Sequence, residues 1–331
     1  MHSSSLIDPF GRHIEYLRIS VTDRCDFRCT YCMAEDMVFT PRSELLTLEE
    51  LGFIGETFVE LGVKRIRITG GEPLVRRDVD QLVGKLSAVN SNLDISMTTN
   101  GNQLRRYAEQ LKANGLKRLN VSLDTLNPLK FKALTRTGEL ENVLNGLDAA
   151  KRAGFERIKL NCVALKHQND DELTDLVAYA IENGFDISFI EEMPLGNTTA
   201  HDLKGAHLAS HGIREILSQS YELIESAYKT GGPSRYWTIK GSDCKVGFIS
   251  PHSHNFCDTC NRVRLTAEGR LLLCLGNEHS LDLREIVRRH PFDRQHLTDA
   301  IFHALLLKPE KHHFNLDEPP QILRFMNATG G

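Results

Sequence analysis

Apolar and polar residues alternate with a period of two in six short runs. They are Glu15–Val21, Arg65–Thr69, Asp94–Thr99, Arg118–Asp124, Arg157–Ala164 and Asp186–Glu191, and each predicts a strand. Between them the apolar residues recur at helical spacing, which predicts helices over Val79–Val89, Gln103–Ala113, Glu141–Ala153 and Glu172–Glu182. An earlier helix starts at Leu48, with Thr47 as N-cap, Glu50 completing a capping box and Gly62 ending it. Strand–helix alternation of this kind implies right-handed βαβ units around a parallel sheet. Six units are present, two short of a complete eight-fold barrel.

The strand faces choose between a barrel and a flat doubly wound sheet. One face carries Arg18, Ser20, Thr22, Arg67, Thr69, Ser96, Thr98, Asn100, Arg118, Asn120, Ser122, Asp124, Lys159 and Asn161. The other carries Leu17, Ile19, Val21, Ile66, Ile68, Leu119, Val121, Leu123, Ile158 and Leu160. A parallel sheet covered by helices on both sides should be apolar on both faces. One polar face over five successive strands fits a partial barrel with a wet, charged lumen. The expected fold is therefore α/β, an incomplete (β/α)6 TIM-like barrel.

After about residue 205 the pattern changes, so residues 1–205 are expected to form the barrel and 206–331 a C-terminal extension. The extension opens with an amphipathic helix, Ile213–Ser218, and short strand-like runs at Tyr221–Glu225, Tyr236–Ile239 and Lys245–Ile249. A hairpin turning at Glu268-Gly269-Arg270 follows, then helices over Leu283–Arg289 and Arg294–Leu306.

Charge and composition remove several classes of function. The net charge is −4, so no global basic field points to nucleic acid, and an anionic substrate must be gripped by local cations. No apolar run approaches the ~18–20 residues that span a bilayer, and the N-terminus has no apolar signal segment. A soluble, cytoplasmic protein without membrane contact is expected. Six of the eight cysteines fall into two groups of three, which suggests metal binding more than disulfides. Cys162 and Cys244 stand alone and read as buried core cysteines.

The first group, Cys25, Cys29 and Cys32, has the spacing Cys-x3-Cys-x2-Cys, with Tyr31 just before the last thiol. Three thiolates in a loop after a strand suit three irons of a [4Fe–4S] cluster and leave the fourth open to a ligand. A structural zinc knot with a distant fourth ligand is the competing reading. Gly70-Gly71-Glu72-Pro73 follows the second strand, where adjacent glycines permit close approach and Glu72 can accept from an ammonium. The second group, Cys257, Cys260 and Cys274, again suggests a cluster with an open iron. A zinc site completed by His252, His254 or His279 is its alternative. Arg262 and Arg264 stand two apart beside it and would share one strand face, their guanidinium forks suited to phosphate.

The first triad, with its aromatic residue, resembles the signature of the radical S-adenosylmethionine (SAM) enzymes. That resemblance implies a cluster on Cys25, Cys29 and Cys32 whose open iron chelates SAM. Tyr31, Gly70, Gly71, Glu72, Ser122 and Met193 would then contact SAM. With the second triad and the ending Arg324-Phe325-Met326-Asn327-Ala328-Thr329-Gly330-Gly331, nearly the whole chain resembles the GTP 3′,8-cyclase family. Membership would imply two [4Fe–4S] clusters, reductive SAM cleavage, and cyclisation of GTP early in molybdenum cofactor biosynthesis. Arg18, Arg67, Thr98, Lys159, Arg262 and Arg264 would hold GTP, the second cluster would anchor the guanine, and the double-glycine tail would reach into the barrel. The implied partners are a one-electron reductant protein and a downstream cyclic pyranopterin monophosphate synthase, with a homodimer as the candidate assembly. Another radical SAM enzyme with an auxiliary cluster, such as a peptide modifier, is the nearest alternative. A two-cluster electron-transfer protein and a zinc-scaffolded interaction module are further off.

Overall fold

The computed structural model describes residues 5–196, 202–312, 314 and 322–330. The six expected strands are present as β1 (Tyr16–Ser20), β2 (Arg65–Thr69), β3 (Asp94–Thr99), β4 (Arg118–Ser122), β5 (Arg157–Val163) and β6 (Asp186–Ile190). They pair in sequence order, each parallel to the next. Their connections carry α1 (Leu48–Glu60), α2 (Val79–Val89), α3 (Leu104–Ala113), α4 (Pro128–Thr135), α5 (Leu140–Ala153) and α6 (Leu173–Asn183).

Alternation decides which way each strand faces. Leu17, Ile19, Ile66, Ile68, Leu119, Val121 and Leu160 are fully or almost fully buried in one continuous core under the helices. Cys162 and Cys244 are buried in that core too, as lone cysteines should be. The capping box of α1 is formed: the Thr47 hydroxyl accepts from Glu50 N, and the Glu50 carboxylate accepts from Thr47 N. α4 was not expected from periodicity. It starts where the Asn127 side chain accepts from Leu129 N and Lys130 N, with Pro128 in the first turn.

The remainder of the chain extends the same sheet at both edges. It contains α7 (Leu203–Ala206), α8 (Ser210–Ser218), β7 (Leu223–Ser226), β8 (Arg235–Ile239), β9 (Lys245–Ile249), β10 (Arg262–Leu265), β11 (Arg270–Leu272) and β12 (Ser280–Asp282). α9 (Leu283–Arg289), α10 (Arg294–Leu305) and α11 (Met326–Thr329) complete it. β9 lies parallel beside β6, and β10 lies parallel beside β1. β7–β8–β9 and β10–β11–β12 are antiparallel meanders outside them, so the twelve strands form one sheet. The extension thus contributes a parallel strand to each edge of the six-stranded partial barrel, and its Arg262 and Arg264 join the luminal face. No helix among the described residues is long and apolar enough to cross a membrane.

Candidate active site

A cavity of about 290 Å³ fills the lumen and is lined by both cysteine groups at once. The first group sits in the loop that follows β1. That loop is laced to the one after β2: Gly71 N donates to Thr22 O and Glu72 N to Arg24 O, each at 2.8 Å. A Cβ on Gly70 would lie 2.6 Å from Thr22 O, and one on Gly71 would lie 2.6 Å from Asp23 O and Arg24 O. Both glycines line the cavity, yet what forbids a side chain there is the backbone of the cysteine loop. Within the loop Cys32 N donates to Cys29 O at 3.0 Å, and Phe27 N points at the Cys25 sulfur at 3.3 Å. Burial pushes the Cys25 and Cys29 thiols far up and the Cys32 thiol to about 12. Thiols so strongly desolvated become thiolates when iron cations supply the missing charge, which is the donor chemistry a cluster needs.

Glu72 differs from the expectation that its carboxylate faces a ligand. It is fully buried and does not line the cavity. One carboxylate oxygen accepts from Leu74 N at 2.9 Å and Thr99 Oγ1 at 2.8 Å, and the other from Asn100 N at 2.6 Å. Burial still lifts the Glu72 carboxyl to about 8. The residue knits the loops after β2 and β3 together. Asn100, so fixed, reaches from its side chain to Asp26 at 2.7 Å and towards the Cys25 sulfur at 3.8 Å.

Tyr31, Ser122 and Met193 all line the cavity on the side of the first triad. The Tyr31 hydroxyl donates to Asp124 at 2.6 Å, and the other Asp124 oxygen accepts from Val163 N at 2.9 Å. Burial raises the Asp124 carboxyl to about 6.

Cys257, Cys260 and Cys274 line the opposite part of the cavity. Cys257 opens a short 3-10 turn, with Cys260 N donating to Cys257 O at 3.0 Å. Arg12, from the N-terminal arm, donates to Cys257 O at 2.8 Å, to Pro309 O at 2.7 Å and to Glu310 O at 2.6 Å while paired with Asp8. Burial pushes the Cys260 thiol up, but Arg262 and Lys308 beside it prevail and bring it down to about 7. Burial raises Cys257 and Cys274. Of the histidines considered as fourth ligands, His252 bonds through Nε2 to Glu192 O at 3.0 Å. His312, unmarked by any motif, is the histidine that lines the cavity. Among the described residues no three His, Cys, Asp or Glu are arranged to hold a metal ion; thiols around a four-iron cube stand apart at its corners instead of converging on one ion.

Between the triads the lumen is basic. Arg18 is in register with Arg264 on one side and Arg67 on the other, and Thr98, Asn120 and Lys159 form the next row. Arg18, Arg67, Thr98, Lys159, Arg262 and Arg264 all line the cavity. Arg118 and Asn120, from the same polar face, line a smaller recess with Arg65 and Arg157. Burial, then the neighbouring Arg262, lowers Arg264 to about 10, and burial then Arg264 lowers Arg18. Arg67, Lys159, Arg262 and Arg264 pair with no carboxylate among the described residues. Thr98 Oγ1 and Asn161 Oδ1 are buried there without a hydrogen-bond partner. Like charges gathered in one lumen beside orphaned polar atoms call for a polyanion with hydrogen-bonding edges.

The tail closes the site. Ile322 bridges to Leu195, and Phe325 packs against Gly196, where a Cβ would meet the ring at 2.5 Å. Asn327 Nδ2 then donates to Asp23 O at 2.9 Å. The Gly330 carbonyl accepts from Arg264 at 2.8 Å and from Arg18 at 3.3 Å. Gly331 lies outside the described residues, so the acceptor seen is the Gly330 carbonyl.

Comparison with known proteins agrees with this geometry. The Radical SAM superfamily profile matches residues 19–180, and the Molybdenum Cofactor Synthesis C profile matches 185–314. The GTP 3′,8-cyclase of Saccharophagus degradans is 58% identical over the whole of both chains. GTP 3′,8-cyclase 2 of Pseudomonas aeruginosa is 57% identical, also end to end. The chain belongs to the GTP 3′,8-cyclase family of radical SAM enzymes. Streptococcus suis SuiB, solved bound to S-adenosylmethionine, shares the fold with a TM-score of 0.63 at 16% identity, over 96% of this chain and 78% of that one.

Proposed function

We propose that this family member reductively cleaves SAM and cyclises GTP to 3′,8-cyclo-7,8-dihydro-GTP, an early step toward molybdopterin. The carrying observation is one lumen in which two cysteine triads flank Arg67, Lys159, Arg262 and Arg264, which have no carboxylate partner among the described residues. Cys25, Cys29 and Cys32 would hold the first [4Fe–4S] cluster, and Cys257, Cys260 and Cys274 the second. When bound, the first cluster and SAM supply a one-electron cleavage that leaves methionine and a hydrogen-abstracting 5′-deoxyadenosyl radical.

The chain's own residues bind and orient. Tyr31, Gly70, Gly71, Ser122 and Met193 surround the space for SAM. Glu72 acts one layer out, by holding Asn100 and the glycine loop in place. Arg67 and Lys159 suit the triphosphate, Thr98 offers a hydrogen bond, and Arg18, Arg262 and Arg264 fix the nucleotide toward the second triad. Enclosure by barrel wall and tail keeps water from a reactive site. Residues 1–205 serve as the radical-generating barrel and 206–331 as the substrate-anchoring extension. A cytoplasmic setting, a one-electron reductant protein, a cyclic pyranopterin monophosphate synthase downstream and a homodimer complete the reading.

Anaerobic incubation with SAM, reductant and GTP tests it. The expected products are 5′-deoxyadenosine and a cyclised nucleotide. Deoxyadenosine with GTP recovered intact would point to a different substrate, such as a peptide.

A further inference from the structure

Lys308 follows α10, after two exposed leucines, Leu306 and Leu307, and turns inward until only 3% of it is exposed. Its ammonium donates to Arg262 O at 3.0 Å, to Leu273 O, and to the Cys260 sulfur at 3.9 Å. Those acceptors belong to the strand beside Cys260, to the residue before Cys274, and to Cys260 itself. A lysine has three donors, and all three are directed at the two arms of the hairpin that bears these cysteines.

The charge on that ammonium has no acidic counterpart. Among the described residues no carboxylate pairs with Lys308, and the nearby Asp8 is already engaged by Arg12 at 2.6 Å. Arg12 and Arg262 add further positive charge around the same loop. Buried charges persist when they are paired or serve a metal centre. A cluster held by three thiolates is net negative in both of its working oxidation states, and becomes more so on reduction. A cation and an N–H···S bond at a ligand sulfur favour the reduced form, since net charge and hydrogen bonds to sulfur set the potential.

We propose that Lys308 is the electrostatic anchor of the second cluster: a positioning residue that balances its charge and holds its reduction potential up. This rests on the reading that Cys257, Cys260 and Cys274 carry a cluster.

The test uses the full chain, anaerobically reconstituted, with Lys308→Met, which keeps length without charge, and Lys308→Arg, which keeps charge. Iron content and an EPR-followed redox titration of both clusters are measured. In Lys308→Met the second cluster's midpoint should move to more negative potential while the first cluster's stays in place, and Lys308→Arg should lie closer to the parent. Should Lys308→Met lose the second cluster outright, iron falls by about half, the first cluster's signal persists, and Lys308→Arg keeps both, which supports the same anchor. Full iron with an unshifted second midpoint in Lys308→Met would overturn the proposal. Loss of both clusters in both variants would overturn it too, because it marks a role in folding alone. If the parent chain itself binds only one cluster, the second-cluster reading fails first and takes the proposal with it.

Discussion

Arg262 and Arg264 sit on one side of β10, two residues apart, and their guanidinium groups differ in surroundings. Arg262 lies over the Phe256 ring at 5.1 Å, whereas Arg264 is spent partly on the Gly330 carbonyl. Changing either to Ala should weaken GTP binding by roughly 1.5–3 kcal/mol, the scale of a hydrogen bond to a charged group. Calorimetry checks this, and SAM cleavage without GTP should persist in both variants; unchanged affinity in both would remove them from the site. Glu72 supports a prediction of another kind. Its folded pKa of about 8 lies above the ordinary carboxylate range, so the folded chain holds that proton more tightly than the unfolded one. Stability is then fullest below the ordinary carboxylate range and falls as pH rises towards about 8. Glu72→Gln cannot ionise and should flatten this slope between about pH 5 and 8. Parallel melting curves for variant and parent would show that the carboxylate ionises normally.

At the level of elements the tail is the most consequential piece. Gly330 has φ +74°, and a Cβ there would lie 2.4 Å from Thr69 Cγ2. Gly330→Ala should therefore displace the carbonyl that Arg18 and Arg264 share. Deleting Gly330 and Gly331 should spare both clusters and uncoupled SAM cleavage but abolish cyclisation, as read by product analysis beside iron content. Turnover of GTP at the parent rate would make the tail a frayed end. The docking of this tail was partly legible, because Ile322 and Phe325 are apolar anchors in a short run. The luminal arginines were legible as well, since period-two alternation places a side chain on a face whatever the tertiary structure does. Long-range pairing was not: nothing local in Arg262–Leu265 says that it will lie beside β1. α4 was missed because eight residues with little amphipathicity carry no periodic signal, although Asn127-Pro128 was a readable start. Gly70 and Gly71 were read as opening space for a ligand, while their nearest constraint is a neighbouring loop no sequence pattern reveals. Lys308 follows a leucine run without any motif, and only its burial and its bonds to the second cysteine hairpin single it out.

The whole molecule places two cysteine-bearing loops in one sheet, one after the first strand and one at the edge supplied by the extension. They come from opposite ends of the chain, and β1 beside β10 brings them to a single lumen. The loops are nevertheless held by different contacts. The first depends on the loops after β2 and β3, through Gly71, Glu72 and Asn100. The second depends on Arg12, Lys308 and the turn at Cys257. The tail touches both loops, through Asn327 on Asp23 O and Arg324 on Asn277 O, but the contacts named above are separate, so losing one cluster should leave the other standing. The parent chain should bind on the order of eight irons after anaerobic reconstitution, as two four-iron clusters. Cys25→Ala should retain about half that iron and lose all SAM cleavage, since in the proposed reading its remaining cluster would be the substrate-side one. Cys257→Ala should also retain about half, yet still cleave SAM and fail to cyclise GTP. Iron analysis, visible absorption and deoxyadenosine assays on the three proteins separate these outcomes. Loss of all iron from either single variant would show that the two loops assemble as one unit, and stoichiometric zinc without charge-transfer absorption in the parent would end the cluster assignment altogether.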